Sequence, residues 1–283
     1  MCLPALYLLL FAGMKIERQN FLIQVKYSDL LSDAGNLDPS TGSGFHKYFL
    51  GFGAELYLTA AEIANYDSRI TDGIKSFAGK NHLPLRLHAP LTQIDYSQIR
   101  NATLHMQLLY GRIFKLCALL GVNSVVAHAE FDYKSVIPID TQFENAVRLW
   151  GVLCGESGAN GIHINIENHC ESEPDRLIML MKRVDSPYLG MCVDTGHFNA
   201  FSNFTAERWL LKYPRGSVKE VHLADNKGDD DTHLPLGDGN IDFADFFETF
   251  GKRGERTCVF VLEPRNSTEA RKSLSFLEKL EVL

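Results

Sequence analysis

Nine side chains in this sequence have the type and spacing to hold divalent cations: His88, His128, Glu167, Asp194, His197, His222, Asp231, His233 and Glu263. Most of them close a short apolar run. The runs read LRLHAP for His88, SVVAHAE for His128, HINIENH for Glu167, LGMCVDTGH for Asp194 and His197, EVHLADN for His222 and VFVLEP for Glu263. Asp231 and His233 lie two apart in DTHLPLGDGNIDF, so an extended backbone turns both the same way. Converging carboxylates repel, and burial drives one of them to hold a proton. A divalent cation removes that conflict. Glu167, Asp194, His222 and Glu263 form an oxygen-rich set that suits manganese, magnesium, cobalt or zinc. His88, His128, His197, Asp231 and His233 add donors for further ions, at ligand distances of roughly 2.0–2.2 Å.

Each residue also has a plainer explanation. A lone histidine at a strand end is ordinarily a hydrogen-bonded rim residue. An unpaired glutamate in an apolar strand is harder to explain structurally, because its burial is costly. Glu167 and Glu263 therefore carry the functional argument. His46, His82, His105, His163 and His169 have no matching context and read as ordinary. Gly237-Asp238-Gly239 reads as a turn, not a phosphate loop.

Eight segments have strand character: FLIQVKY, AELYL, PLRLHA, NSVVAHA, IHINIEN, LGMCVDT, VKEVHLA and CVFVLEP. Helical period separates most of them. From Ser97 to Leu120, apolar residues recur at three- and four-residue steps, and Gly121 suits the position just past the end. Shorter helices are predicted over 141–151, 174–184, 205–213, 242–250 and 268–280. Alternating strands and helices imply a parallel sheet with right-handed crossovers, and eight units close a barrel. The fold class is α/β, a single (β/α)8 barrel over residues 15–283. Its metal site belongs at the C-terminal ends of the strands, where such barrels carry their chemistry.

Composition narrows the function. The 283 residues carry a net charge of −7 with no basic block, which argues against a grip on nucleic-acid backbone. None of the six cysteines forms a C-x-x-C pair, so free thiols and a cytoplasmic setting are expected. Residues 1–14 are apolar but lack a basic start and are too short to span a bilayer. They read as an extension or a mis-assigned start.

VDTGH, IEN, and HLADN followed by DTHLPLGDGNIDF resemble the xylose isomerase-like barrels. That superfamily holds sugar and sugar-phosphate isomerases and epimerases, and the endonuclease IV type of apurinic endonucleases. The isomerase branch implies a metal on Glu167, Asp194, His222 and Glu263, with His88 and His197 on the substrate. Glu167 and Glu263 then double as an acid/base pair for a sugar or polyol, the metal stabilising an enediolate oxygen. The endonuclease branch implies three zinc ions on all nine residues. Gly196 stands where that branch has Cys in Asp-Thr-Cys-His, and HLADNKG departs from its His-Leu-Asn-Asp-Ala-Lys. With the acidic balance, these departures favour the isomerase branch. A barrel that binds a polyol without turnover would not need two paired bases. Homo-oligomer formation is compatible with such a barrel.

Overall fold

Eight apolar runs become eight parallel strands: β1 (Phe21–Lys26), β2 (Gly53–Tyr57), β3 (Leu85–His88), β4 (Ser124–His128), β5 (His163–Glu167), β6 (Leu189–Asp194), β7 (Val218–Leu223) and β8 (Val259–Leu262). They form a closed barrel in sequence order, and β1 pairs with β8 to seal it. The computed structural model describes residues 14–38, 44–255 and 257–283. The apolar segment 1–13 and part of the 30–53 loop therefore lie outside the described residues. Met14 packs against the core, and the Ile16 amide donates to the Val282 carbonyl at 2.8 Å.

The helices are α1 (Tyr27–Ser32), α2 (His46–Phe49), α3 (Ala60–Ala64), α4 (Ser68–Asn81), α5 (Ile99–Leu120), α6 (Ile139–Ala159), α7 (Asp175–Val184), α8 (Thr195–Phe201), α9 (Ala206–Lys212), α10 (Phe243–Arg253) and α11 (Ser267–Lys279). Helix α5 buries Met106, Leu109, Tyr110, Ile113, Phe114, Leu116, Cys117 and Leu120, a continuous apolar stripe. It ends at Gly121, whose φ of 74° is the left-handed conformation that glycine adopts without strain. Helix α6 runs past Gly151, where the sequence period was expected to stop. Leu153, Cys154 and Ser157 continue its buried stripe, and their packing outweighs the roughly 1 kcal/mol cost of a helical glycine. Helices α1–α4, between β1 and β3, had no sequence expectation. Asp67 caps α4, its carboxylate accepting from the Arg69 amide at 2.8 Å.

Strand register brings the chemistry to one level. His128 is opposite Glu167, Glu167 opposite Cys192, and Asp194 opposite His222. An irregularity between Met191 and Cys192 shifts the β6–β7 pairing and sets that last match. Outward residues such as Ile164, Ile166, Val193 and Val221 are buried under the helices, so both faces of each strand are covered. Among the described residues, no helix is long and apolar enough to cross a membrane.

Candidate metal centre

Glu167 is the hub. Its Oε2 lies 3.0 Å from Nε2 of both His88 and His128. Its Oε1 lies 3.0 Å from His222 Nδ1 and 3.4 Å from His197 Nδ1. Glu263 Oε1 is 3.1 Å from the same His222 nitrogen. Glu167, Asp194, His222 and Glu263 offer ligand atoms all within 4.8 Å of one another, as do His88, His128 and Glu167. Every one of these side chains is buried.

Asp194 shows how local structure prepares a ligand. It ends β6 and caps α8, its Oδ1 accepting from the His197 amide at 2.5 Å. The Asp194 amide in turn donates to Asn168 Oδ1 at 2.9 Å. Its other oxygen, Oδ2, is buried without a hydrogen-bond partner. So are both ring nitrogens of His128, although Nε2 lies close to Glu167. A buried polar atom without a partner is costly. Lone pairs that converge on one point without bonding each other fit a shared cation. The donor set therefore fits a divalent metal.

Three rings are oriented by main-chain carbonyls. Nδ1 of His88 meets the Ala89 carbonyl at 2.8 Å, Nδ1 of His197 meets that of Asn168 at 2.8 Å, and Nδ1 of His233 meets that of Glu263 at 3.3 Å. Each contact directs Nε2 into the site, the usual outer support of a metal-bound histidine. A third donor group follows: Nε2 of His197 and of His233 lie 3.3 and 3.0 Å from Asp231 Oδ2. His233 reaches it with a φ of 47°.

Burial raises the carboxyl of Asp194 to about 7, with repulsion from Glu263 and Glu167 adding to it despite His197. Burial also opposes ionisation of Glu167 and Glu263, but the surrounding histidines together outweigh it: His222, His128 and His197 at Glu167, and His222 and His233 at Glu263. Glu167 falls well below the ordinary range and Glu263 to about 2. Burial disfavours the His88 cation, yet Glu167 lifts that ring to about 9. Burial holds His128 below its usual value.

All nine sequence-predicted residues converge. One further ring and one further carboxylate join them. His169, read as ordinary, has its ring centroid 5.1 Å from that of His128 and 4.8 Å from that of His197. The IENH turn after β5 carries that ring to the barrel mouth beside the ligand rings, a placement no strand pattern signals. Burial, then His197, lowers it to about 4. Glu55, in the middle of β2, is wholly buried beneath the centre. Its place inside AELYL was the available signal. A cavity of about 400 Å³ opens above, lined by Tyr57, Leu91, His169, Asp231 and Arg265 with the ligand rings.

An uncharacterised protein of Methanocaldococcus jannaschii is 34% identical over 130 residues, 44% of each chain, so this chain spans under half of that relative. A probable endonuclease 4 of Mycoplasma mobile is 31% identical over 124 residues, 39% of each chain. The crystal structure of a D-psicose 3-epimerase solved in the presence of D-fructose superposes with a TM-score of 0.71. It is 15% identical, covering 92% of this chain and 99% of that one, which is a likeness of fold. Residues 52–280 match the family described as the xylose isomerase-like TIM barrel, and with the barrel and its ligand cluster in place, the chain belongs to that family.

Proposed function

We propose that the protein is a divalent-metal-dependent isomerase or epimerase of a sugar or sugar phosphate. One observation carries the reading. Glu167 and Glu263 are both buried, both held ionised, and reach within 4.8 Å of each other among the ligand atoms. Glu167, Asp194, His222 and Glu263 would hold manganese, magnesium, cobalt or zinc. A bound cation there supplies Lewis-acid polarisation of a carbonyl. Glu167 accepts the proton from the carbon beside that carbonyl and releases it to water, and Glu263, after taking up a proton from water, delivers that one back to the substrate; the reverse reaction exchanges the roles. The neighbouring His88 and His197 rings, which line the cavity, bind the substrate oxygens. The likeness of fold to a D-psicose 3-epimerase supports this reading.

The test is turnover of ketohexoses and their phosphates with manganese or cobalt supplied. Glu167→Gln and Glu263→Gln should each lower kcat by about 10²–10⁴-fold with folding intact. Normal turnover in either variant would defeat the two-carboxylate scheme.

The third donor group favours a second reading, a zinc-dependent apurinic endonuclease of the endonuclease IV type. His197, Asp231 and His233 complete a nine-residue set, and the resemblance to the probable endonuclease 4 points the same way. The net charge of −7 opposes it. Cleavage of an abasic oligonucleotide that disappears on chelation would establish that reading.

A further inference from the structure

His222 is mounted differently from its neighbours. His88, His197 and His233 tie Nδ1 to a main-chain carbonyl and present Nε2. His222 presents Nδ1 to Glu167 and Glu263 and turns Nε2 down into the barrel. There Nε2 lies 3.4 Å from Glu55 Oε2. Both atoms are buried and neither has a hydrogen-bond partner. A movement of a few tenths of an ångström brings them to hydrogen-bond length.

Glu55 is itself held. Its Oε1 accepts from Gln24 Nε2 at 3.1 Å, and the same amide donates to Glu263 Oε1. Gln24 and Glu55 are partners in the β1–β2 register, so the sheet sets their relation. An NH₂ group has two hydrogens, one for each carboxylate. The chain His222–Glu55–Gln24–Glu263 thus runs between two ligands of the proposed metal.

We propose that Glu55 and Gln24 are positioning residues for the metal centre. Glu55 accepts the Nε2–H of His222 and so leaves a bare Nδ1 lone pair facing the site. Gln24 ties that carboxylate to Glu263 and orients both ligands together. The inference rests on the metal-dependent reading above and deepens it. Glu55 touches His222, not the substrate cavity, and acts through its neighbour.

Metal-free protein, titrated with Mn²⁺ or Co²⁺ alone by calorimetry, tests this. Glu55→Gln is close to isosteric, but it replaces one of the two oxygens that face Gln24 and His222 with an NH₂ that can only donate. It should weaken metal binding by about 10–100-fold and shift the Co²⁺ absorption bands. Gln24→Leu should do the same, and the double variant should lose less than the product of the two. Glu220→Gln removes an equally buried carboxylate that makes no contact of this kind with His222, and should change affinity less than twofold. Melting of the metal-free variants separates a folding defect from a ligand defect. Unchanged affinity in Glu55→Gln overturns the inference alone. So does loss of one ion per chain with the remaining affinity intact, since Glu55 would then be a ligand. A parent chain that binds neither ion overturns both this inference and the function it rests on.

Discussion

His197 and Asp231 meet across 34 residues of chain, Nε2 to Oδ2 at 3.3 Å, and His233 Nε2 reaches the same oxygen at 3.0 Å. The Glu167–Glu263 pair does not include Asp231. Asp231→Ala should therefore lower isomerase turnover by only about tenfold, through loss of His197 orientation. Abasic-site cleavage should vanish in the same variant. Comparing the two activities in one preparation separates the two readings. Isomerase loss as deep as in Glu167→Gln would place Asp231 in the proton-transfer machinery.

Cation binding couples to stability. Ligands brought from β3 to β8 are assembled only in the folded chain, so an ion that binds the native state stabilises it. At a concentration about 100 times Kd, the gain is about 2.7 kcal/mol, or about 5 °C in Tm for a chain of this size. Differential scanning fluorimetry with and without a chelator reads it directly. Identical melting curves would count against a metal within the barrel.

Glu220 makes the fold pH-sensitive. Burial, then repulsion from Glu55, raises its carboxyl from 4.5 to about 7. Between those values the native chain holds a proton that the unfolded chain has released. Stability is therefore lost as pH rises through the window, by on the order of 3 kcal/mol. Glu220→Gln should flatten that fall in metal-free protein. A Tm that rises from pH 5 to pH 7, unaltered by the substitution, would contradict the assignment.

Asp225 organises the loop that carries Asp231 and His233. Its carboxylate accepts from the amides of Gly237 and Gly239 at 2.9 Å, Asn226 at 2.9 Å and Ile241 at 3.3 Å. A Cβ on Gly239 would fall 2.1 Å from Asp225 Oδ1, so glycine is required for the close approach. Asp225→Ala strands several amides and should cost about 3 kcal/mol or more. Hydrogen exchange should show faster exchange confined first to residues 226–241. Uniform protection across that loop would mean other contacts hold it.

Much of this was legible because parallel-barrel strands leave a strong pattern. Eight buried runs stand out, six of them with a ligand residue at or beside the C-terminal end, and covering both strand faces demands that apolarity. His88, His128, Glu167, Asp194 and His222 each end or nearly end a strand, so their common level follows from strand order. His169 and Glu55 were not legible in that way. One sits on a turn whose path depends on what packs beneath it; the other lies within a strand whose inward face only the closed barrel defines.

The order of residues alone determined which side chains could meet: strand period, glycine and cap positions, and ligand types are local properties of the chain. Tertiary structure decided how they meet. The β6 register shift opposes Asp194 to His222, barrel closure brings Gln24 to Glu263 from the two ends of the sequence, and the interior turns His222 toward Glu55. These are long-range packing outcomes, set by how the barrel closes and which faces become buried, and no local pattern encodes them.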